Sequence, residues 1–361
     1  GNPGLPAPAP PRAHDGFDPR TALLDPAAPA AALRAAFAAA HAHGLEAFGI
    51  WSAGAVETAV ASTAGVRATD RVTDGFMKVV CRDDRGRSGY AATTARTSAA
   101  LDGGALAERA AARVPRGELA ELPPGAYLAV LEPEALGLLV DFLGALAFNG
   151  LAHAEGRGAL AGRLGQRVAA PAVNLSDSPR APRTLPRAID AEGVPKRPVP
   201  LIQDGVAHGV VHDTRSAARA GGGATSTGHA LAPGGAPEGP LPTNLVLAGG
   251  GAADVDELVA PVERGLYVTR FWYVNPVHAK QTLLTGMTRD GTFLIEDGRI
   301  GRPLRDVRFT DAALRVLEDV QALTAEQRLV SEGEFYGRRF AAGVVAPAVR
   351  VRGFRVTGST R

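Results

Sequence analysis

The sequence predicts an α+β protein. An N-terminal α/β unit with a mostly antiparallel sheet comes first, and a larger, mainly β portion follows. Three observations lead there. The candidate strands are short and joined by hairpin signals, with few helices to carry crossovers, which favours an antiparallel sheet or barrel. Forty-four glycines and 27 prolines in 361 residues supply the turns such strands need. One stretch, Pro133 to Phe148, reads as a helix that is apolar on almost every side, and such a helix is buried in a core or an interface.

In chain order, residues 1–16 read as a linker or tail, 17–116 as the N-terminal α/β domain and 125–361 as the β domain. Asp25-Pro26 opens a helix that stops at Gly44. Leu45 to Ile50 is a strand. Val56 to Arg82 is read as antiparallel strands turning at Ala64-Gly65 and at Thr73-Asp74-Gly75. Asp83 to Gly86 turns again, and an Asp102-capped helix runs to Val114. Leu122-Pro123-Pro124-Gly125 marks the boundary, followed by a strand from Ala126 to Leu131 and the apolar helix. Later candidate strands are 170–175, 199–202, 206–211, 244–248, 265–275, 281–289, 291–296 and 307–310. Pro198 and Pro200 limit the second of these to an edge strand. Asp311 to Leu323 reads as a late helix, and Val349 to Val356 as an exposed strand, because valines alternate there with Arg350 and Arg352.

Composition narrows the function. Thirty-nine Lys and Arg against 37 Asp and Glu leave a formal charge of +2, so bulk charge suggests neither nucleic-acid nor membrane binding. The single cysteine, Cys81, allows no internal disulfide and reads as a buried, inert thiol. The proline-rich start lacks the apolar core of a signal peptide, and no apolar run approaches the roughly 20 residues of a membrane span. The expected location is therefore cytoplasmic.

The chemistry-bearing stretch runs from Ala188 to Ala230. Asp190, Glu192 and Gly193 make a turn, Asp204-Gly205 is a hairpin signal, and a basic, glycine-rich loop from Asp213 to Gly223 closes on Ser226-Thr227-Gly228-His229-Ala230. The series D-x-E-G-V-P-x-R, L-I-x-x-G-V, D-T-x-x-A and S-T-G-H-A resembles the TldD/PmbA peptidase family, as does Phe293 to Pro303 (FLIEDGRIGRP). The resemblance runs from about Phe17 to the end. It implies a pseudo-barrel for the β domain and a longer N-terminal portion, so the chain is expected to be truncated or processed at its start.

The resemblance also implies a test for metal. TldD-type members carry H-E-x-x-x-H on the helix after the first strand of this domain. Two imidazoles and a C-terminal cysteine bind zinc there, and the glutamate serves as base. A three-ligand zinc keeps one position open for water and lowers its pKa to about 7. The matching residues here are Asp141, Phe142 and Leu146 in Val140 to Leu146, with neither His nor Glu, and no C-terminal cysteine exists. That pattern is similar to the PmbA (TldE) branch. It implies a subunit that holds no metal, pairs with a zinc-bearing TldD-type partner, and helps degrade or trim unfolded peptides such as modified-peptide precursors and antitoxins. The loop is then expected beside the peptide channel, with Asp213, Arg215, Ser226, Thr227, Gly228 and His229 as substrate contacts.

Other candidates are plainer. His208 and His212 have helical metal spacing. On a strand they would lie roughly 13 Å apart, at about 3.3 Å per residue, too far for one ion. His41 and His43 read as charges at a helix C-terminus. Asp190, Glu192 and Arg197 read as turn residues with a structural ion pair. Gly221 to Gly223 and Gly249 to Gly251 lack the residues that complete a phosphate loop. Ser226 and His229 could supply a hydroxyl and a base, though Ala224 stands where the nucleophile elbow needs glycine. Two other readings therefore stand beside the metal-free subunit. One is a stand-alone hydrolase of small peptides or natural products using Ser226 and His229, or a metal site of unexpected ligands. The other is a non-catalytic, peptide-binding homodimer.

Overall fold

The structure, a computed structural model, describes residues 4–23, 25–232, 238–331, 334–335 and 338–359. The first three residues of the expected tail and the last two of the chain lie outside it. Residues 4–18 have no regular structure, but the end of the tail is pinned. His14 Nε2 lies 2.8 Å from Asp70 Oδ1, and Thr73 N–H donates to Gly16 O at 2.9 Å.

A single turn, α1 (Pro19–Ala22), precedes α2 (Ala27–Ala42). Three antiparallel strands follow: β1 (Glu46–Ala61), β2 (Arg67–Arg82) and β3 (Ser88–Ala95), with β2 in the middle. Then comes α3 (Gly103–Ala112), whose N–H at Ala105 is capped by Asp102. The helices bury Ala36, Ala40, Leu106 and Ala110 against Met77 and Val79 of β2. The expected turn at Thr73 to Gly75 is not formed; β2 runs straight through it. Asp74 is buried there and accepts from Arg339, so its turn-like chemistry serves a tertiary pair instead.

The second layer begins with β4 (Gly125–Leu131), α4 (Pro133–Leu146), α5 (Gly150–Ala154), β5 (Leu175–Asp177), β6 (Val199–Gln203), β7 (Val206–Ala207) and α6 (Thr214–Ala220). It continues with β8 (Asn244–Leu247), α7 (Val255–Val259), β9 (Arg264–Val268), β10 (Phe271–His278), β11 (Leu283–Thr288), β12 (Thr292–Glu296), β13 (Arg299–Pro303) and β14 (Val307–Ala312). It ends with α8 (Ala313–Glu318), β15 (Val320–Val330), a small hairpin of β16 (Glu334–Phe335) and β17 (Arg338–Arg339), and β18 (Gly343–Ser359).

Thirteen strands form one sheet with the path β13-β12-β9-β4-β18-β8-β5-β6-β7, while β14 and β15 also pair along β18 and β10 joins through β11. The sheet branches on β18 and stays open, so it is not the barrel-like closure that was expected. Nor is it wholly antiparallel, since β4 with β9 and β8 with β18 are parallel pairs.

Five strand and helix readings change. The 170–175 strand is not formed, because Pro171 sits in a turn closed by Val173 N–H to Ala170 O at 2.9 Å, and β5 starts only at Leu175. The 206–211 strand is only β7, and 265–275 breaks into β9 and β10. The late helix is only α8, because residues 320–330, rich in helix formers, pair with β18 instead. Val349 to Val356 is no exposed strand but part of the central one. Val349, Val351 and Phe354 are fully buried, while the Arg350 stem carries its guanidinium to Leu258 O on α7.

Candidate functional site

A cleft of about 890 Å³ lies between the two layers. One wall is β3 and the residues after it; another is α4; β15 and the start of β18 close it. Helix α4 explains its own place there. Ala135, Leu136, Leu139, Val140 and Leu143 repeat at helical spacing and are buried in the main core. The opposite face presents Glu134, Leu138, Asp141, Phe142 and Ala145 to the cleft. The helix thus serves a core and a cavity at once, which is why it reads as apolar nearly all round.

The walls are held by buried charge. Glu132, just before α4, is 4% exposed and accepts from the Tyr267 hydroxyl. It pairs with Arg113, just after α3, at 2.8 Å and with Arg328 of β15 at 2.6 Å. Burial alone would raise the Glu132 carboxyl, but the two arginines hold it down at about 2. Glu134 pairs with Arg328 at 3.3 Å and Arg109 at 3.5 Å. These pairs fasten α3 of the first layer to α4 and β15 of the second, and so fix the width of the cleft.

Asp141 stands apart. Among the described residues it has no ion pair and no hydrogen bond. Its side chain is open to the cleft, yet the surrounding walls thin its hydration, and that burial pushes the carboxyl up to about 6. Phe142 lines the cleft beside it, while Leu146 packs partly buried on the core. A carboxylate, a phenyl ring and an alkyl chain are not a zinc donor set. Among the described residues no three His, Cys, Asp or Glu side chains converge on a point. The residues at these positions do not fit the family's metal.

The motif from Ala188 to Ala230 is mostly a buried latch. Asp213 is 5% exposed and caps α6, accepting from Ser216 N–H at 2.6 Å. Asp190 accepts from the N–H groups of Glu192, Val194 and Ala230, tying the turn to the end of the loop; burial pushes its carboxyl up to about 6 against those bonds. The expected ion pair with Arg197 is not formed: Arg197 donates to Thr225, and Glu192 accepts from Thr214. Gly228 has φ +77°, and a Cβ there would meet Lys196 Cα at 2.7 Å, so glycine is required.

His229 is fully enclosed. Its Nε2 lies 3.0 Å from Asp177 Oδ1 and its Nδ1 2.9 Å from Thr227 Oγ1. Lys196 Nζ is 3.8 Å from the same Asp177 oxygen, and Asp177 Oδ2 accepts from Thr243 and Asn244 N–H. Burial would raise Asp177, but Lys196 and His229 hold it well below the usual carboxylate range. Burial pushes Lys196 down to about 8 against the pull of Asp177. Burial also lowers His229, with Lys196 adding to it.

The expected substrate contacts therefore divide. Asp213, Thr227, Gly228 and His229 are buried, which leaves them no face for a peptide, while Arg215 is exposed and Ser226 half-buried. Ser226 Oγ donates to His212 O at 3.3 Å and accepts Gly228 N–H at 3.2 Å, so it forms no pair with His229. His212 is not on a strand; it lies beside Ser216, 3.2 Å from its Oγ. His43 pairs with Glu108 at 2.6 Å, and Cys81 is buried with its thiol pushed up to about 11 by burial. Sequence reasoning missed Glu132, Asp177 and Lys196. Their partners are distant in sequence, and no local pattern marks them.

Solved structures share this two-layered α+β arrangement. TldE from Thermococcus kodakarensis superposes with a TM-score of 0.85 at 20% identity, covering 98% of this chain and 79% of that one. A structure from Thermotoga maritima described as a putative modulator of a DNA gyrase gives 0.83 at 20% identity, covering 97% and 79%. Residues 124–358 match the model of the PmbA/TldA metallopeptidase C-terminal domain, and the chain belongs to the TldD/PmbA family. It is 26% identical over 239 residues to a metalloprotease of Methanothermobacter thermautotrophicus, covering 66% of this chain and 51% of that protein. It is 25% identical over 204 residues to a TldD homologue, also described as a metalloprotease, of Haemophilus influenzae, covering 55% and 41%. The chain thus spans about half the length of these relatives or less. Among the described residues no helix is long and apolar enough to cross a membrane.

Proposed function

We propose that the chain is a TldE/PmbA-like subunit that binds no metal itself and pairs with a zinc-bearing TldD-type subunit. In that role it completes the peptidase chamber and holds an extended, unfolded peptide in its cleft. The observation that carries this reading is the cleft face of α4. It lines a cavity large enough for several residues of peptide, yet presents Asp141 and Phe142 where the zinc-bearing members carry ligand and base. Extended peptides are commonly held by addition to a sheet edge, and β3, an edge strand, forms one wall. No observation favours the stand-alone hydrolase, since both ring nitrogens of His229 face other groups.

The test is elemental analysis of the dialysed chain, followed by mixing with a TldD-type subunit. The expected result is near-zero zinc, co-elution of the two chains, and hydrolysis of an unfolded peptide only when both are present. Stoichiometric zinc that survives dialysis, or turnover by the chain alone, would overturn it.

A further inference from the structure

Among the described residues that line the cleft, the one other acid, Glu134, and three of the four cations have an opposite charge beside them. Glu134 has Arg328 and Arg109, Arg96 has Asp15 at 2.9 Å, and Arg270 has Asp290. Arg183, exposed, donates to Gln327 Oε1 at 3.3 Å. Asp141 has no partner among the described residues, and no described cation contributes to the shift of its carboxyl. A carboxylate that opens into a cleft, where the walls thin its hydration and no described partner meets it, is costly in the free protein, and a cation arriving from outside removes the cost. The surroundings suit one kind of cation. Leu138, Phe142 and Ala145 flank Asp141 on the same helix face, and they offer the apolar surface on which the alkyl stem of a lysine or arginine lies while its charged end reaches an acid. A divalent metal is disfavoured, because no second or third donor converges with Asp141 among the described residues.

We infer that Asp141 is a specificity residue of the cleft that pairs with a cationic group of the bound peptide, either a basic side chain or the N-terminal ammonium. This rests on the peptide-binding reading above. It adds to that reading a preference for substrates that place one positive charge against the middle of α4.

The test uses the full chain and fluorescence anisotropy with labelled peptides of one extended sequence. One is acetylated and carries a single lysine. The second is acetylated with norleucine in that place. The third has norleucine and a free amino terminus. Wild type is expected to bind the lysine or the free-amino peptide about tenfold more tightly than the neutral one, in the range of a charged hydrogen bond, and the arm that responds identifies the source of the cation. In Asp141→Asn the preference is lost, and in Asp141→Lys it reverses. Equal affinities in wild type, or a preference that survives both substitutions, overturn the inference. The cleft still stands as a peptide site if Ala145→Trp, which fills it, weakens all three peptides. If no peptide binds the chain, alone or mixed with a TldD-type subunit, both the inference and the peptide-binding reading fall.

Discussion

Two polar regions of this molecule invite a functional reading, and they behave in opposite ways. The stretch from Ala188 to Ala230 is dense with Asp, Arg, Ser, Thr and His, and its chemistry is turned inward. His229, Lys196 and Asp177 meet in a sealed cluster, and Asp190 stitches two turns together. Helix α4 looks like featureless core in the sequence, yet one face of it lines the cleft and carries a carboxylate with no partner among the described residues. Residue type says which chemistry a side chain can do. Enclosure and partners decide whether it is spent on folding or left available for a ligand.

The sharpest way to break this contrast is to remove one acid from each region. Asp177→Ala takes away the acceptor of Thr243 and Asn244 N–H and leaves Lys196 buried without its counter-charge. The expected loss is about 3–5 kcal/mol of unfolding free energy, the usual result of orphaning a buried charge, read from urea titrations. Peptide binding per folded molecule should be unchanged. Asp141→Ala should cost no stability, because it removes an acid whose ionised form burial disfavours. If the two effects were exchanged, the assignment of latch and cleft would be wrong.

Acid separates the regions next. Glu132 has its carboxyl lowered from 4.5 to about 2, so its stabilising contribution is fully present above pH 4.5 and is lost as the pH falls toward 2. The shift corresponds to about 3 kcal/mol at 1.36 kcal/mol per pH unit. Asp190 and Asp306 are shifted the other way, from 3.8 up to about 6. They cost stability when ionised above pH 6, and that cost is relieved as the pH falls from 6 toward 3.8. The buried imidazole of His229 opposes that relief, because the unfolded chain takes up its proton below pH 6.5 while the fold resists it. Unfolding midpoints measured against pH should therefore change little from pH 7 to about 5 and fall steeply below 4.5. Glu132→Gln should flatten the acid limb, and Asp190→Asn should remove part of the relief. An acid limb below pH 4.5 that is no steeper in the wild type than in Glu132→Gln would show that the arginines do not control Glu132 as the geometry requires.

Much of the local structure is legible in the sequence, because it depends on local chemistry. Asp102 caps α3, the Asp204-Gly205 pair turns β6 into β7, and the strand-turn-strand of Phe293 to Pro303 forms β12 and β13. The failures are tertiary. Residues 320–330 have helical composition and become β15 because β18 offers a partner. Val349 to Val356 alternates with arginines as an exposed strand would, but long stems let Arg350 leave a fully buried row. At the site, the helix carrying Asp141, Phe142 and Leu146 was found from its apolar run and its place after β4. That Asp141 and Phe142 face a cavity while Leu146 faces the core could not be read, since it depends on where β3 and β15 sit across from α4. The Glu132 network escaped for the same reason: Arg113 comes from the first layer, and Arg328 lies 196 residues beyond Glu132 along the chain.

The smallest effect is expected where the sequence looks most catalytic. Ser226→Ala removes a half-buried hydroxyl whose partners are His212 O and Gly228 N–H, both at hydrogen-bond lengths above 3 Å. About 1 kcal/mol or less should be lost, and hydrolysis by the mixed two-subunit complex should keep its kcat. A serine nucleophile needs a base within reach, and His229 cannot serve. Its two nitrogens face Asp177 and Thr227, and the ring is sealed from solvent. If Ser226→Ala nevertheless lowered kcat by about a hundredfold or more, the range expected for losing a nucleophile–base pair, the loop would have to open during turnover. The latch would then be part of the catalytic machinery, and the division between the two regions would fail.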